Sequence, residues 1–537
     1  MIHRYLKNHP KRTLFISCAL LGGIAFLLLF GIENVNPANT NWVVNGGGDN
    51  FQHYIGWRFF RNQPWTRYFL FMRNLNYPVG TSVIVTDSNP LFSVLFKLLR
   101  NWLPAAFQFN GIWLVTCYAL SAGFGALIGW KLTKNYCFSL IFSLFCTLNP
   151  VVLQRAMIHD SLAAHWLILA AILNSLYWRP RWNMPIWCLL ILLTFSIHAY
   201  FLPMIALVGV LQVERMMLEK GQVKRILTLG IACVLTVGFC YYAFGYQYVQ
   251  PETGSFGELS MNLNAFINPD GMGTLLQDRS TFPLQYEGFN YWGAGLILLS
   301  LAGIFIGLAN FRKKYWLYLS ICGVFLLFAL SNQITWDRNV LAVIQLPEWL
   351  LDRLSTFRSS GRLGWIYYYL TLSASLYFIH RFATKHEKYQ SAAIIFVVLC
   401  LGVQMMDLSK MIQTAYQRFR TIDEGAELLK STEAWNNALT DIDHLAVTDG
   451  ESDWIDALTL LAADHHLTFN RSANARGVMP VFGGDAVPVS EIVKTGKFEN
   501  KTLYILLDEN LSEIARIKWP DWIFQVDGVD LLKPDLN

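Results

Sequence analysis

Apolar residues alternate with short polar segments through residues 1–407 in a pattern of long, nearly uncharged blocks. Blocks of about 20 apolar residues are long enough to cross a bilayer as a helix. The pattern predicts eleven spans, at 13–32, 110–131, 138–156, 160–178, 184–197, 200–214, 226–245, 291–310, 315–332, 363–380 and 390–406. The fifth and sixth spans are short and meet at Ile197-His198-Ala199, so a single broken helix is the alternative there.

Three long loops separate the predicted spans on one side, at 33–109, 246–290 and 333–362. In the first loop, residues 90–103 are amphipathic, because one polar stripe runs among Leu, Phe and Val side chains. That stripe consists of Ser93, Lys97, Arg100 and Asn101. Such a segment is typical of a helix that lies in the membrane interface. Residues 51–61 form a second, more aromatic candidate for the same position.

Residues 408–537 differ from the rest of the chain because strand and helix patterns alternate there. Residues 445–447 and 503–507 are predicted strands, residues 453–465 are a predicted helix, and Asp527-Gly528 is a predicted tight turn. A capping box at 421–424 predicts the start of another helix. The predicted fold class is an all-α polytopic membrane protein of about 11 transmembrane helices (1–407), followed by a small α/β domain (408–537).

The composition supports a membrane protein. Only 15% of the residues are charged and 54% are hydrophobic, whereas an average globular chain has about 25% charged residues. A soluble protein this poor in charge cannot cover its surface, so the composition excludes a soluble enzyme, a disordered chain and a coiled coil. Residues 408–537 contain 12 basic and 21 acidic residues, and residues 1–407 contain 30 basic and 16 acidic residues. The basic excess therefore belongs to membrane loops, and no nucleic-acid-binding pattern is present.

The distribution of basic residues along the chain predicts its orientation. Lysine and arginine gather in every second loop, beginning with Arg4, Lys7, Lys11 and Arg12 before the first span. Cytoplasmic segments carry this excess, so we expect the N-terminus to be cytoplasmic. An odd number of spans then puts the C-terminal domain, and the three long loops, on the outer side.

The cysteines and carboxylates indicate neither disulfides nor a metal. All nine cysteines lie inside the apolar blocks, and no CxxC pair occurs. We therefore predict no disulfide framework and no cysteine metal site. No cluster of carboxylates in the sequence demands a metal.

Two acidic residues in the first outer loop are candidate catalytic groups. Asp49 follows Gly46-Gly47-Gly48, and Asp87 lies between Thr86 and Ser88. Each is next to a predicted interfacial helix, so the two could converge on one pocket. A carboxylate can act as the base that takes a proton from an attacking hydroxyl group. The alternative is that Asp49 is a turn residue and Asp87 a helix cap.

Ionisable and polar side chains also gather at the outer ends of the predicted spans. Such groups are costly at membrane depth and usually face a cavity or a partner. We predict that they bind substrate, although each could instead cap a helix or pair with a neighbour. The candidates are His159, His165, His198, Tyr200, Glu287 and Asn290, with Arg155 and Asp160 in the same region. His53, in the first outer loop near Asp49, is a further candidate for binding substrate.

Arg358 and Arg362 are candidates for binding a phosphate group. They are four residues apart at the outer start of the tenth span, so a helix would carry both on one face. The first turn of a helix also offers free N–H groups and the positive end of the dipole. Two arginines at such a position favour phosphate binding, and snorkelling of the arginines to lipid headgroups is the alternative.

Taken in order, several stretches resemble one class of membrane enzyme. The chain resembles bacterial glycosyltransferases of the GT-C class, and within it a largely uncharacterised membrane family, over residues 40–407 and more loosely in the tail. The stretches are Gly47-Gly48-Asp49-Asn50-Phe51-Gln52-His53-Tyr54 with Gly56-Trp57, Asp87-Ser88-Asn89-Pro90-Leu91, Ala164-His165-Trp166, Asn262-Leu263-Asn264, Tyr286-Glu287-Gly288-Phe289-Asn290-Tyr291 and Arg358-Ser359-Ser360-Gly361-Arg362.

The resemblance implies an activity and roles for some residues. Enzymes of this class use polyprenyl-phosphate sugars, such as undecaprenyl-phosphate sugars, and usually invert the anomeric centre. Asp49 matches their catalytic acid in the first outer loop, and Arg358 and Arg362 match the arginines that bind the donor phosphate. Many relatives have paired acids where Asp49 is followed by Asn50, so the second role falls to Asp87. Metal dependence varies across the class.

The resemblance also implies partners and a location. We expect the bacterial inner membrane, with a periplasmic C-terminal domain and an extracytoplasmic acceptor such as O-antigen, lipopolysaccharide, another cell-envelope glycan or protein. A separate transferase and a flippase would supply the lipid-linked donor. Two other functions stay open at this point: a transporter or flippase of a lipid-linked saccharide, and an envelope assembly protein that works through its outer tail.

Overall fold

The computed structural model describes residues 10–44, 48–177, 180–219, 221–250, 254–309, 315–420, 428–450 and 452–535. Most of these residues are helical. The α-helices are α1 Pro10–Phe30, α2 Asn41–Val44, α3 Gly48–Asn62, α4 Pro90–Leu98, α5 Asn110–Thr133, α6 Tyr136–Thr147, α7 Pro150–Ile158, α8 Trp166–Tyr177, α9 Pro180–Ile197, α10 Phe201–Met217, α11 Val223–Ala243, α12 Ala294–Leu308, α13 Tyr315–Leu330, α14 Glu348–Leu354, α15 Ile366–Lys385, α16 Gln390–Asp407, α17 Ser409–Arg418, α18 Thr432–Ala438, α19 Trp454–Asp464, α20 Val489–Thr495 and α21 Glu509–Lys518.

The strands are short and form three sheets in the described residues. They are β1 Phe71–Met72, β2 Thr81–Ser82, β3 Gln333–Trp336, β4 Asn339–Val343, β5 His444–Val447, β6 Thr468–Phe469, β7 Thr502–Leu506, β8 Ile523–Val526 and β9 Val529–Leu532. Strands β1 and β2 pair with each other, as do β3 and β4, and the remaining five form one sheet.

Helices occupy each of the eleven apolar segments predicted from the sequence. Within the described residues, five helical segments are long and apolar enough to cross a membrane, and several shorter apolar helices accompany them. The five are Pro10–Phe30, Asn110–Thr133, Tyr136–Ile158, Val223–Ala243 and Glu387–Asp407. Several helices suited to a membrane are thus confirmed, while the count of eleven spans stays a prediction.

The helices are interrupted within the predicted span 138–156 and between the predicted spans 184–197 and 200–214. Asn149 accepts a hydrogen bond from the N–H of Val151 and so caps α7, whose first residue is Pro150. Proline is well suited to the first turn of a helix and poorly suited to its interior, so α6 and α7 are separate helices. The break predicted near His198 is also present, because α9 ends at Ile197 and α10 begins at Phe201.

The chain folds into two compact units, each built from segments that are distant in sequence. The first unit comprises Met1–Trp42, Ala106–Tyr241 and Pro251–Thr421. The second comprises Val43–Ala105, Tyr242–Gln250 and Ile422–Asn537. The second unit therefore joins most of the first predicted outer loop to the C-terminal domain, a grouping that the sequence analysis did not anticipate.

The first unit is a helical bundle. Helix α5 packs against α1, α6 and α8, while α12 packs against α15 and α16. Two short 3₁₀ helices, Pro283–Gly288 and Ser360–Trp365, also contact each other. They precede α12 and α15 in the chain, so their packing brings residues from two distant loops together.

The second unit contains a five-stranded mixed sheet with the order β6-β5-β7-β9-β8. β5 is parallel to β6 and β7, and β9 is antiparallel to β7 and β8. The predicted turn Asp527-Gly528 joins β8 to β9, and both residues have positive φ, as a two-residue hairpin requires. The helix predicted at 453–465 and the strands predicted at 445–447 and 503–507 are confirmed. The predicted capping box at 421–424 lies outside the described residues.

The first outer loop adds backbone pairing to the edge of this sheet. The N–H of Phe469 in β6 donates to the carbonyl of Asn74 at 2.8 Å, and the N–H of Tyr77 donates to the carbonyl of Phe469 at 2.9 Å. Leu75 forms a parallel bridge with Phe469. Apolar side chains of both segments then pack into one core, including Ile55 from α3 and Leu445 from β5. Loop and C-terminal domain are therefore one folded structure.

Helix α3 does not have the interfacial position predicted for residues 51–61. The helix is present, but Phe51, Ile55 and Phe60 are at most 6% exposed and belong to the core of the second unit. Aromatic residues on most sides of a helix suit burial in a core as well as a membrane interface, so the sequence pattern could not separate the two. The interfacial prediction for this segment is wrong.

Helix α4 has its polar side buried and its apolar side exposed. Ser93 and Lys97 are at most 1% exposed, whereas Leu95 is 46% and Leu98 is 65% exposed. Asn89 caps the helix by accepting a hydrogen bond from the N–H of Phe92. An outward apolar stripe on an amphipathic helix is typical of contact with lipid. The helix covers Pro90–Leu98 of the predicted segment, and the interfacial position of residues 90–103 stays a prediction.

Candidate functional site

The first unit contains a buried carboxylate that is shared by two arginines. Oε2 of Glu287 lies 3.0 Å from Nη2 of Arg155 and 2.8 Å from Nε of Arg362. All three side chains are buried, with exposed fractions of 0% for Arg155, 5% for Glu287 and 8% for Arg362. Because two cations share one anion, the three side chains together carry one more positive than negative charge.

The ionisation of Glu287 follows from these neighbours. Burial alone would raise the pKa of its carboxyl group, since desolvation penalises the charged form. The positive charges of Arg155 and Arg362 and the hydrogen bond from Arg362 outweigh burial and lower the pKa. Glu287 is therefore an anion at neutral pH, and it compensates part of the arginine charge.

Glycine makes the approach of the two 3₁₀ helices possible. A Cβ atom on Gly361 would lie 2.6 Å from Cα of Gly288, closer than side-chain atoms pack. The side chain of Asn290 joins the two segments, because its Nδ2 donates to the carbonyls of Gly288 at 2.8 Å and Gly361 at 2.9 Å. Asn290, predicted to bind substrate, thus positions the backbone on which Glu287 and Arg362 lie.

Aromatic rings lie next to the arginines. The guanidinium of Arg362 is 4.8 Å from the ring centroid of Tyr200, and that of Arg155 is 5.2 Å from the centroid of Trp365. The hydroxyl of Tyr200 accepts a hydrogen bond of 3.0 Å from the N–H of Ser359. Cation–π contacts orient a guanidinium group without consuming its N–H donors.

The histidines predicted from the sequence divide into two groups in the first unit. The ring of His198 lies 5.4 Å from that of His159 and 5.6 Å from that of Tyr200, so these three residues are neighbours. His165 instead stacks on Trp365 at 5.0 Å, and its Nδ1 is 2.9 Å from the hydroxyl of Tyr369. His165 is completely buried, which is the position of a packing residue behind the arginines.

The two arginines of the predicted phosphate site do not lie on one helix face. Arg358 follows the 3₁₀ helix Ser355–Phe357, Arg362 is inside the next 3₁₀ helix, and α15 begins only at Ile366. Ser359 separates them with a ψ of 53°, which ends the first helical segment. The prediction of a shared helix face is wrong, because the i, i+4 spacing assumed one continuous α-helix. Arg358 is half-buried and Arg362 is buried.

In the second unit, Asp49 and His53 lie one turn apart on α3. Asp49 is exposed in the first turn of the helix, and His53 is 2% exposed. A ring nitrogen of His53 lies within 4.8 Å of a carboxylate oxygen of Asp87. The sequence analysis predicted that Asp49 and Asp87 converge on one pocket, and this stays a prediction. The structure brings Asp87 next to His53, which lies one helical turn along α3 from Asp49.

A glycine in α3 explains how Asp87 comes so close. A Cβ atom on Gly56 would lie 2.2 Å from Oγ of Ser88 and 2.4 Å from Oγ1 of Thr86, so any larger residue would push the loop away. Asp87 itself has a φ of 51°, a left-handed conformation that Asp and Asn tolerate better than most residues. The stretch 86–88 is therefore tightly packed on the helix.

Asp49 lines a cavity of about 420 Å³ within the second unit. Its walls come from α3, from Thr86, from α19 and from residues 471–473. The polar lining includes Gln52, Asp456, Thr459 and Arg471, and the apolar lining includes Phe51, Ile55, Leu75 and Ile455. Cavities of about 300–1,000 Å³ are typical of small-molecule sites.

Two family models match the chain. One, described as Domain of unknown function (DUF6311), matches residues 19–409, which is more than half of the sequence. The chain belongs to the DUF6311 family. A second model, described as DUF6311 C-terminal domain, matches residues 434–534. No curated protein matches the sequence, and neither family description names an activity.

Sequence reasoning missed part of this DUF6311 site. The polar side chains of the C-terminal domain that line the cavity, Asp456, Thr459 and Arg471, carry no local motif. Asp456 and Thr459 are three residues apart on α19, a spacing that puts both on one helix face. That spacing was the only indication in the sequence that the two residues could line one site, and many surface helices share it. The packing of α19 against α3 is what distinguishes this pair.

Proposed function

We propose that this DUF6311 protein is an integral membrane glycosyltransferase. It moves a sugar from a polyprenyl-phosphate donor to an extracytoplasmic acceptor such as O-antigen or another cell-envelope glycan. The observation that carries the proposal is the cavity in the second unit, where the exposed carboxylate of Asp49 faces a lining of mixed polar and apolar side chains. Sugar hydroxyl groups and the C–H faces of sugar rings require that mixture.

The proposed reaction is a single displacement with inversion. The carboxylate of Asp49 takes the proton from an acceptor hydroxyl group, and the oxygen attacks the anomeric carbon of the donor sugar. A glycosidic C–O bond forms as the bond between that carbon and the phosphate oxygen breaks. The polyprenyl phosphate leaves with the bonding electron pair. His53 and Asp87 lie on the same side of α3 and assist by fixing the surrounding loop.

Arg358 and Arg362 are proposed to bind the phosphate group of the donor, as the resemblance implies. Guanidinium groups match phosphate geometry and keep their charge when buried. Arg362 is buried beside Arg155 and Glu287, and Arg358 adds a half-buried guanidinium in the neighbouring segment. Guanidinium groups that contact the phosphate would stabilise the negative charge that develops on the leaving group.

The proposal includes a location and partners. The protein would lie in the bacterial inner membrane with its N-terminus in the cytoplasm and its C-terminal domain in the periplasm, in keeping with the distribution of basic residues. The exposed apolar stripe of α4 would contact membrane lipid. A separate transferase and a flippase would make and deliver the undecaprenyl-phosphate sugar.

The test is the mass profile of surface glycans in cells that lack the native gene. Cells would express the wild-type protein, Asp49→Asn or Asp485→Asn, an exposed aspartate of the second unit away from the cavity. We expect a sugar-sized addition with the wild type and with Asp485→Asn. Loss of a general base reduces the rate by about 10²–10⁴-fold, so Asp49→Asn should lack the addition while expressing normally.

Two other outcomes would change the assigned base or the proposed function. An equal addition with Asp49→Asn would keep the enzyme but reject Asp49 as the base, and Asp87→Asn would be tested next. No addition with any protein, combined with movement of a lipid-linked saccharide across sealed vesicles without covalent change, would replace the proposal with transport.

A further inference from the structure

We propose that the C-terminal domain recognises the acceptor, and that Asp456 of α19 binds hydroxyl groups of a neutral saccharide in the cavity next to Asp49. The inference rests on the proposed function in taking the acceptor to be a glycan. It adds a binding site in the C-terminal domain and a class of acceptor.

The cavity has walls that are fixed to one another. The segment 74–77 pairs with β6. It also bonds to Arg471, two residues after the end of β6, because the N–H of Asn76 donates to the carbonyl of Arg471 at 3.4 Å. Farther along, the N–H of Ala475 donates to the carbonyl of Val85 at 2.8 Å. Backbone hydrogen bonds on both sides of residues 471–473 therefore fix that wall against the first-loop segment.

Helices α3 and α19 are also connected. Nη2 of Arg58 lies 2.6 Å from Oδ1 of Asp464, and Nη1 of Arg58 donates to the hydroxyl of Tyr54 at 2.8 Å. Arg58 is buried, whereas the side chain of Asp464 is half-exposed, so the contact lies at the edge of the core. The ion pair holds the C-terminal end of α19 against α3. Asp456 and Thr459 lie one to two turns earlier on α19, where they line the cavity.

The chemistry of the lining favours a neutral sugar. Asp49 and Asp456 are both carboxylates, whereas Arg471 supplies the one cation among the described side chains that line the cavity. Nη1 of Arg471 also donates to the carbonyls of Thr448 and Gly450, so some of its N–H groups are bonded to the protein backbone. A lining with excess negative charge repels an acidic acceptor such as a uronic acid, while carboxylates accept hydrogen bonds from neutral hydroxyl groups.

The carboxyl group of Asp456 has the environment of a binding residue. Its side chain is accessible from solvent, yet desolvation of the carboxyl by the surrounding protein raises its pKa. A carboxylate that has lost part of its hydration gains more from a ligand hydroxyl than a fully hydrated one does. Phe51 and Ile455 supply the apolar surface on which the C–H groups of a sugar ring can pack.

The test measures binding separately from transfer. Full-length protein in detergent micelles is studied by saturation-transfer NMR with neutral hexose disaccharides and trisaccharides, and with uronic-acid oligosaccharides of the same length. Three proteins are compared: the wild type, Asp456→Asn and Asp453→Asn. Asp453 is an exposed residue just before α19 that does not line the cavity, and it is the matched control.

We expect the wild type and Asp453→Asn to bind the neutral probes and to discriminate against the acidic ones. Asp456→Asn should bind neutral probes about tenfold more weakly, the effect of losing a charge-assisted hydrogen bond. It should also discriminate less against the acidic probes, a change that general loosening of the fold would not produce. An unchanged thermal midpoint would show that the variant is folded.

The other outcomes overturn the inference. Absence of saturation transfer to the neutral probes in the wild type, or equal behaviour of Asp456→Asn and Asp453→Asn, would remove the acceptor site from this cavity. Failure of the proposed function is distinguishable, because it appears as missing transfer in cells while probe binding and its dependence on Asp456 persist.

Discussion

Arg362 donates a hydrogen bond of 2.8 Å from its Nε to Oε2 of Glu287, a residue 75 positions earlier in the chain. The same carboxylate oxygen contacts Arg155 at 3.0 Å. The ion pair connects the loop before α12 with the loop before α15 at a place where water is nearly excluded. Burial strengthens the attraction between these charges, and the two arginines keep Glu287 ionised.

Replacing Glu287 with glutamine should destabilise the protein. The variant removes the carboxylate that pairs with two buried arginines, and removal of one partner from a buried ion pair costs about 3–5 kcal/mol. The thermal midpoint in detergent should fall clearly, whereas Glu258→Gln, at an exposed glutamate of the same loop, should leave it unchanged. Because the pKa of Glu287 is lowered in the fold, its contribution is present above the unfolded pKa and declines as the solution is acidified. Equal midpoints for both variants would show that the ion pair adds nothing.

Arg358→Ala and Arg362→Ala should weaken donor binding more than acceptor binding. Loss of a charged hydrogen bond to phosphate should raise the KM for the polyprenyl-phosphate sugar about tenfold, with the acceptor KM nearly constant. Steady-state kinetics with each substrate varied in turn would measure this. Arg353→Ala, at an exposed arginine of α14, is the control. An unchanged donor KM in both variants would exclude the arginines from the phosphate site.

Gly56→Ala should displace the 86–88 loop and lower both stability and transfer. The new Cβ would clash with Oγ of Ser88 and Oγ1 of Thr86, and overpacking of this kind costs about 1–3 kcal/mol. Gly238→Ala is the matched control, since it is also helical but has open space around the added Cβ. Thermal unfolding and transfer assays on the two variants would check the prediction. A Gly56→Ala protein as stable and active as Gly238→Ala would contradict the packing described for Asp87.

Lys97 should make the stability of the protein depend on pH. Burial, with a smaller effect from the charge of Arg100, lowers the pKa of Lys97 to about 7, although its Nζ lies 3.8 Å from the centroid of Phe60 and 4.4 Å from that of Trp65. Between that pKa and the ordinary value of 10.5, the unfolded chain binds more protons than the folded one. Stability should therefore rise with pH across that interval.

The matched variants for this prediction are Lys97→Met and Lys494→Met, the second at an exposed lysine of the second unit. Thermal midpoints across the same pH interval should rise in the wild type and in Lys494→Met. Lys97→Met should lose most of that rise because it has no proton to release. A similar slope in all three proteins would mean that Lys97 titrates normally.

Much of the local structure was predictable because it depends on local patterns. The block of residues 110–131 is mostly apolar, and α5 occupies it. Alternating and continuous apolar patterns likewise identified β5 and β7. The same patterns were ambiguous for α3, where aromatic residues suited either a membrane surface or a protein core, and for Arg358 and Arg362, where the i, i+4 spacing suggested an α-helix that does not form.

By itself, the sequence determined that this is a membrane-type, mainly helical protein with a small α/β domain, and it singled out Asp49, Asp87, Glu287 and the two arginines. Hydrophobic periodicity carries that information because burial repeats with the geometry of each element. Only the tertiary structure decided that Glu287 joins Arg155 to Arg362, and that Asp49 shares a cavity with Asp456. Those pairs are far apart in the chain, and they meet through glycine contacts, backbone bridges and a shared core that no local pattern encodes.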